Sequence, residues 1–141
     1  MVLSDNEKQE LDNNLTRIIE GNYARSSAGI WYYIEEIIPT VDHQKDGFLY
    51  VLEQLLRQGR VKMGRGHQLL NMSIEEVIQS FRDNWPSDEE FYDPLFSLVK
   101  PYKVPHKKNL QTHYWTPGDL VWIDPDDGHE LWSTDAEAEP D

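Results

Sequence analysis

Apolar positions recur through the first half of the chain at the spacing of helix faces. Leu11, Leu15, Ile18 and Ile19 fall at i, i+4, i+7 and i+8, which predicts a helix over Leu3–Glu20, with Ser4 or Asp5 as N-cap and Gly21 just past its end. In SSAGIWYYIEEIIPT, Ile30, Trp31, Ile34, Ile37 and Ile38 make a broad apolar face, closed by Pro39 because a proline ring cannot continue the hydrogen-bond ladder. A third helix, from about Asp42 to Gln58, carries Phe48, Val51, Leu52, Leu55 and Leu56 on one stripe, with Gly59 in the C-cap position. The fourth is announced by Ser73-Ile-Glu-Glu76, a capping-box spacing. It turns Val77, Ile78 and Phe81 inward and stops at Trp85-Pro86.

Elsewhere the pattern shortens toward two. RQGRVKMGRGHQLL reads as a short strand, a glycine turn at Gly64 to Gly66 and a second extended piece. Near the end, the runs Asp119 to Asp124 and His129 to Thr134 flank Pro125-Asp126-Asp127-Gly128, which is turn chemistry between two strands. Leu120 and Trp122 share a face by the period of two, as do Glu130 and Trp132, so this hairpin is expected to display at least one Trp on each strand. Between these regions lie a short helix around Asp88 to Leu98 and a connector broken by Pro101 and Pro105. The expected architecture is α+β and predominantly helical, a single domain over 1–134 with four to five helices, a short strand pair near 60–70 and a C-terminal β-hairpin. Its parts are a helical body at 1–100, a connector at 101–118 and a hairpin at 119–134, followed by a disordered acidic tail at 135–141.

Composition agrees with one folded unit. The chain has 141 residues, 38% of them hydrophobic, and five Trp, seven Tyr and four Phe spread along it, enough to build a core. It has no cysteine, which removes disulfides, thiolate nucleophiles and cysteine metal sites. The start, MVLSDNEKQELDNN, has acids where a signal peptide needs a basic opening and an apolar run, and no apolar stretch of about 18 residues occurs anywhere. These features predict a cytoplasmic protein with no membrane span.

Charge changes the picture more. The formal net charge is −13, and residues 119–141 hold nine acids and no Lys or Arg. Such a surface repels phosphate backbones and anionic lipid headgroups, and it attracts basic proteins. The opposite pole is Arg57, Arg60, Lys62 and Arg65, a segment without acids. It has no interleaved aromatics, so pairing with nearby acids of the same chain is the expected use, and direct nucleic-acid binding is not expected.

No catalytic motif is legible. His43, His67, His106, His113 and His129 form no His-Glu-x-x-His, no His-x-His and no pairing with a Gly-x-Ser-x-Gly elbow. Gly64-Arg65-Gly66 lacks the further glycine and the strand-to-helix setting of a dinucleotide fingerprint. Asp124-Pro-Asp126-Asp127-Gly128 resembles a calcium loop, but its glycine comes one place early and Pro125 and His129 do not suit the pattern. The pairs Glu35-Glu36, Glu75-Glu76 and Glu89-Glu90 are adjacent, so on a helix they diverge by about 100° and read as solvated faces or first-turn charges. No catalytic residue, metal or cofactor is expected.

The stretch FLYVLEQLLRQGRVKMGRGHQLLNMSIEEVIQSFRDNWP carries a resemblance. A helix ending in Leu-Leu-x-x-Gly, a short basic-apolar strand, a turn, a Ser-led helix with paired glutamates and an aromatic-Pro close resemble the bacterial domain-of-unknown-function family 596. Upstream, Gly29-Ile-Trp-Tyr-Tyr-Ile-Glu-Glu36 is similar to that family's Trp-Tyr-rich helix. The resemblance spans roughly residues 10 to 86 and leaves out the C-terminal third. Small acidic proteins of this make-up are also similar to immunity proteins encoded beside bacterial polymorphic toxins, of the contact-dependent growth inhibition and colicin types. That resemblance implies a cytosolic inhibitor that binds the C-terminal domain of a cognate toxin, commonly a nuclease, and covers its basic active site.

The partner-binding residues expected on this reading are Asp119, Trp122, Asp124, Asp126, Asp127, Glu130 and Trp132, with the tryptophans as desolvated anchors among acids. An alternative for Trp122 and Trp132 is the core, where they would hold the hairpin on the helices. Two other functions stay open. One is an acidic adaptor or regulator binding a different basic protein. The other is a nucleic-acid-related enzyme, which would need acids or histidines converging with the 57–67 segment on a pocket.

Overall fold

The structure is a computed structural model that describes residues 2–25, 27–85, 99–103, 110–114 and 117–133. Its helices are α1 (Asp5–Asn13), α2 (Leu15–Asn22), α3 (Ser27–Ile37), α4 (Val41–Arg57) and α5 (Ile74–Asn84). Its strands are β1 (Val61–Arg65), β2 (Gln68–Leu69), β3 (Val99–Lys103), β4 (Leu110–Tyr114), β5 (Asp119–Ile123) and β6 (Glu130–Trp132). The predominantly helical α+β architecture is the one expected, and the described residues hold five helices, within the four to five predicted, because the first predicted helix divides in two.

The local signals act where they stand. Ser4 and Ser73 each accept a hydrogen bond from the backbone N–H three residues on, while Glu7 and Glu76 reach back to the cap N–H, so both helices open on a complete capping box. The first helix departs from expectation by dividing in two at Asn14. Its Nδ2 donates to the Glu10 carbonyl at 2.8 Å, a side-chain bond that competes with the helix ladder. The apolar stripe nevertheless runs on, with Leu11, Ile18 and Ile19 all buried.

α4 is the central element. Phe48, Leu49, Val51, Leu52 and Leu55 are each at most 1% exposed, so this helix is enclosed by its neighbours. Rings from three helices meet on it: Phe48 lies 5.8 Å from Phe81 and from Trp85, and 6.2 Å from Trp31. Each such side chain contributes about 1.5–3 kcal/mol by leaving water. Asp46, buried on the same helix, accepts from the Val2 N–H at 2.9 Å and from Arg82 at 3.0 Å, tying the N-terminal segment and α5 to α4.

The two strand units predicted separately form one antiparallel sheet, in the order β2-β1-β5-β6. β1 folds back on β2 through Gly66 and His67, with φ of 60° and 62°, the left-handed pair that a tight two-residue hairpin turn needs. On its other side β1 pairs with β5, Val61 opposite Trp122 and Gly64 opposite Asp119. Val61, Met63, Leu120 and Trp122 join the helical core. The proline-broken connector holds a second sheet, β3 paired with β4, in which Pro101 stands opposite Thr112. A two-stranded sheet is all edge, the position where a strand tolerates a residue without an N–H. The helix expected around Asp88 to Leu98 and the tail at 135–141 lie outside the described residues.

Candidate functional site

The hairpin β5–β6 positions every residue that the sequence nominated for partner binding. Its register sets Val121 opposite Trp132 and Trp122 opposite Leu131. Because neighbours along a strand face opposite sides, the two tryptophans lie on different faces of the sheet. Trp122 points into the helical core, is 0% exposed and donates from Nε1 to the Arg25 carbonyl at 2.8 Å. Its ring also packs at 5.8 Å on Tyr23. Trp132 lies on the other face, 9% exposed, with its ring over Gly64 and His67 stacked on it at 5.0 Å.

Neither tryptophan is displayed. The hydrophobic effect that would make them partner anchors is already spent on holding the hairpin in place. Asp119 is likewise buried, at 4% exposure, and burial raises its carboxyl above the usual carboxylate range against the opposing pull of Arg65.

The remaining four nominated residues stand at the surface end of the hairpin. Asp126, Asp127 and Glu130 are exposed and Asp124 is half-buried. The turn is internally fixed: Asp126 N–H donates to Asp124 Oδ1 and His129 N–H to Asp127 Oδ1, each at 2.8 Å, while Gly128 N–H reaches the Asp124 carbonyl at 2.9 Å. Tyr23, which the sequence reading did not single out, joins this cluster from the loop after α2. Its phenol is raised first by burial and then by the negative charge of Asp124, Asp127 and Asp126, with Arg60 opposing. No spacing links residue 23 to residue 124, so only the fold could bring them together.

Part of the basic segment is paired within the chain. Arg57 pairs with Glu53 at 3.3 Å and with Glu75 at 3.4 Å, and Arg65 acts on Asp119. Arg57 and Arg65 follow the pairing within the chain expected of the segment, whereas Arg60 Nε is buried without a hydrogen-bond partner among the described residues. A cleft of about 320 Å³ lies between β1–β2 and the helices α4 and α5, lined by apolar side chains such as Leu56, Met63, Leu69 and Met72, with Lys62 as the single charged residue among the described ones. Among the described residues no acid or histidine lines this cleft. Of the histidines, His43 bonds Glu7 at 2.9 Å, and among the described residues no three His, Asp or Glu side chains are grouped to hold a metal. Among the described residues, too, no helix is long and apolar enough to cross a membrane.

A family model described as protein of unknown function, DUF596, matches residues 56–133. The match extends through the hairpin, which the sequence resemblance left out, and does not reach the Trp-Tyr-rich helix that the resemblance included. No curated protein matches the chain. Among solved structures, an uncharacterized protein conserved in bacteria, from Neisseria meningitidis, is similar with a TM-score of 0.67 and 25% identity, over 90% of this chain and 92% of that one.

Proposed function

We propose a binding function for this chain, which belongs to the DUF596 family: it is a cytoplasmic immunity protein that neutralises a cognate toxin domain by laying an acidic surface over that domain's basic active site. The observation that carries the reading is the Asp124–Asp127 turn, held outward on a hairpin whose own tryptophans are buried. A fixed cluster of carboxylates needs little reordering when it meets a cationic surface, so less of the attraction is lost to entropy. A nuclease site must hold phosphates and is therefore electropositive, which makes it the kind of surface such a turn complements. The burial of Trp122 and Trp132 moves the expected contact set to Asp124, Asp126, Asp127 and Glu130.

The test is co-expression with the toxin domain encoded beside this chain. Growth protection and a stable complex are expected for the wild type, and loss of both for the Asp124→Lys, Asp126→Lys, Asp127→Lys, Glu130→Lys variant. A wild-type chain that neither protects nor binds would refute the immunity reading. Capture of a different basic protein by the same turn would favour an adaptor instead.

A further inference from the structure

Asp119 has chemistry that the acidic-surface reading leaves unused. It begins β5 opposite Gly64 of β1, is 4% exposed, and its Oδ1 is closed off from water with no hydrogen-bond partner. The chain around it is packed to contact. A Cβ on Gly118 would stand 2.7 Å from the Gly64 carbonyl oxygen, and one on Gly64 would fall within the Trp132 ring.

A carboxylate here has lost its hydration without gaining hydrogen bonds in return, whereas the neutral acid loses much less. Among the described residues, Arg65 is the charged group that acts on the carboxyl, and Lys62 of β1, His67 of the β1–β2 turn and Glu130 of β6 are the other charged or titratable groups on the neighbouring strands and turn. Arg65 acts on the carboxyl and favours its charged form, against burial.

We propose that Asp119 is a proton latch for the hairpin: with its carboxyl neutral, β5–β6 seats against β1, and with the carboxyl charged that seat loosens. The direction follows from linkage. A carboxyl raised in the folded state keeps its proton over a range where the unfolded chain has lost it, so its stabilising share is full below the unfolded value and is lost as pH rises through the folded one. The hold of the hairpin, and with it the presentation of the acidic turn, therefore weakens as pH rises through the raised value. The consequence for the turn rests on the binding reading, but the latch is a property of the isolated chain and is tested without a partner.

Amide hydrogen exchange on the full chain reads it, comparing Lys62 and Val121 with Leu52 of α4 after correction for intrinsic rates. As pH is raised from about 4, the ordinary aspartate value, through the range where the raised carboxyl loses its proton, the relative protection of the strand amides should fall by at least about threefold in the wild type, stay flat in Asp119→Asn, and still fall in His67→Ala. A wild type with no fall, a fall that persists in Asp119→Asn, or one abolished by His67→Ala would each overturn the proposal. Should Asp119→Asn fail to fold, the carboxyl carbon shift of Asp119 in the wild type decides. A midpoint above the usual carboxylate range is expected, and one at or below it would be contradictory.

Discussion

At the scale of single residues, the fold depends on a few polar groups placed where only one arrangement satisfies them. Asp46 is the clearest: burial works to raise its carboxyl, but the Val2 N–H, the Arg82 hydrogen bond and the Arg82 charge outweigh that and hold it below the usual range. A depressed carboxyl stabilises above its unfolded value and loses that contribution as pH falls through the folded one, so its share disappears below about pH 4. Asp46→Ala is expected to cost about 1–3 kcal/mol in urea unfolding at neutral pH, toward the lower end because Arg82 keeps partial access to water. The deficit against wild type should shrink as pH is lowered below about 4. Gly64 is a second such point, set by space instead of charge. Gly64→Ala places a methyl in the Trp132 ring and should destabilise by about 1–3 kcal/mol, with a change in tryptophan fluorescence as the His67 stack is lost.

Among elements, the helices were legible because their determinants are local. The Ser73 box sits within four residues of sequence and fixed the start of α5. Ser73→Ala is expected to cost about 1 kcal/mol in thermal or denaturant unfolding, while leaving the hairpin's near-ultraviolet signature unchanged. The break at Asn14 was not legible, because an asparagine on a helix becomes an interruption only when its side chain turns back on the carbonyl of Glu10. The sheet was half legible. Alternation and turn residues marked β1–β2 and β5–β6, but the β1–β5 pairing joins segments nearly sixty positions apart, and nothing in either segment names the other. That missing link misplaced the candidate site, since Trp122 becomes core only once β1 and the helices close on it, and Trp132 is covered on the other face of the sheet by Gly64 and His67. Trp122→Ala should therefore behave as a core mutation, costing about 3–5 kcal/mol with loss of the β5 amides' exchange protection. Near-normal stability with selective loss of binding would instead mark Trp122 as an interface residue.

For the whole molecule, charge and architecture divide the labour. The helices and the inward-facing strand positions supply the core, Arg57 of the basic segment pairs with acids of the same chain, and the excess negative charge gathers toward the C-terminal end. Where that excess meets a cationic partner, attraction acts mainly on the rate of encounter and is screened by salt. The acidic turn was legible from composition alone. Its neighbour Tyr23 was not, since that approach depends on how the segment after α2 packs on β5 and the turn.

The association rate constant between this chain and its cognate toxin domain, followed by stopped-flow fluorescence at low and high salt, tests the central claim most directly. For the wild type the rate should fall steeply with added salt, and Asp124→Lys, Asp126→Lys, Asp127→Lys should reduce the low-salt rate by about tenfold or more. A rate indifferent to salt and unchanged by the three reversals would contradict a partner surface built on the acidic turn.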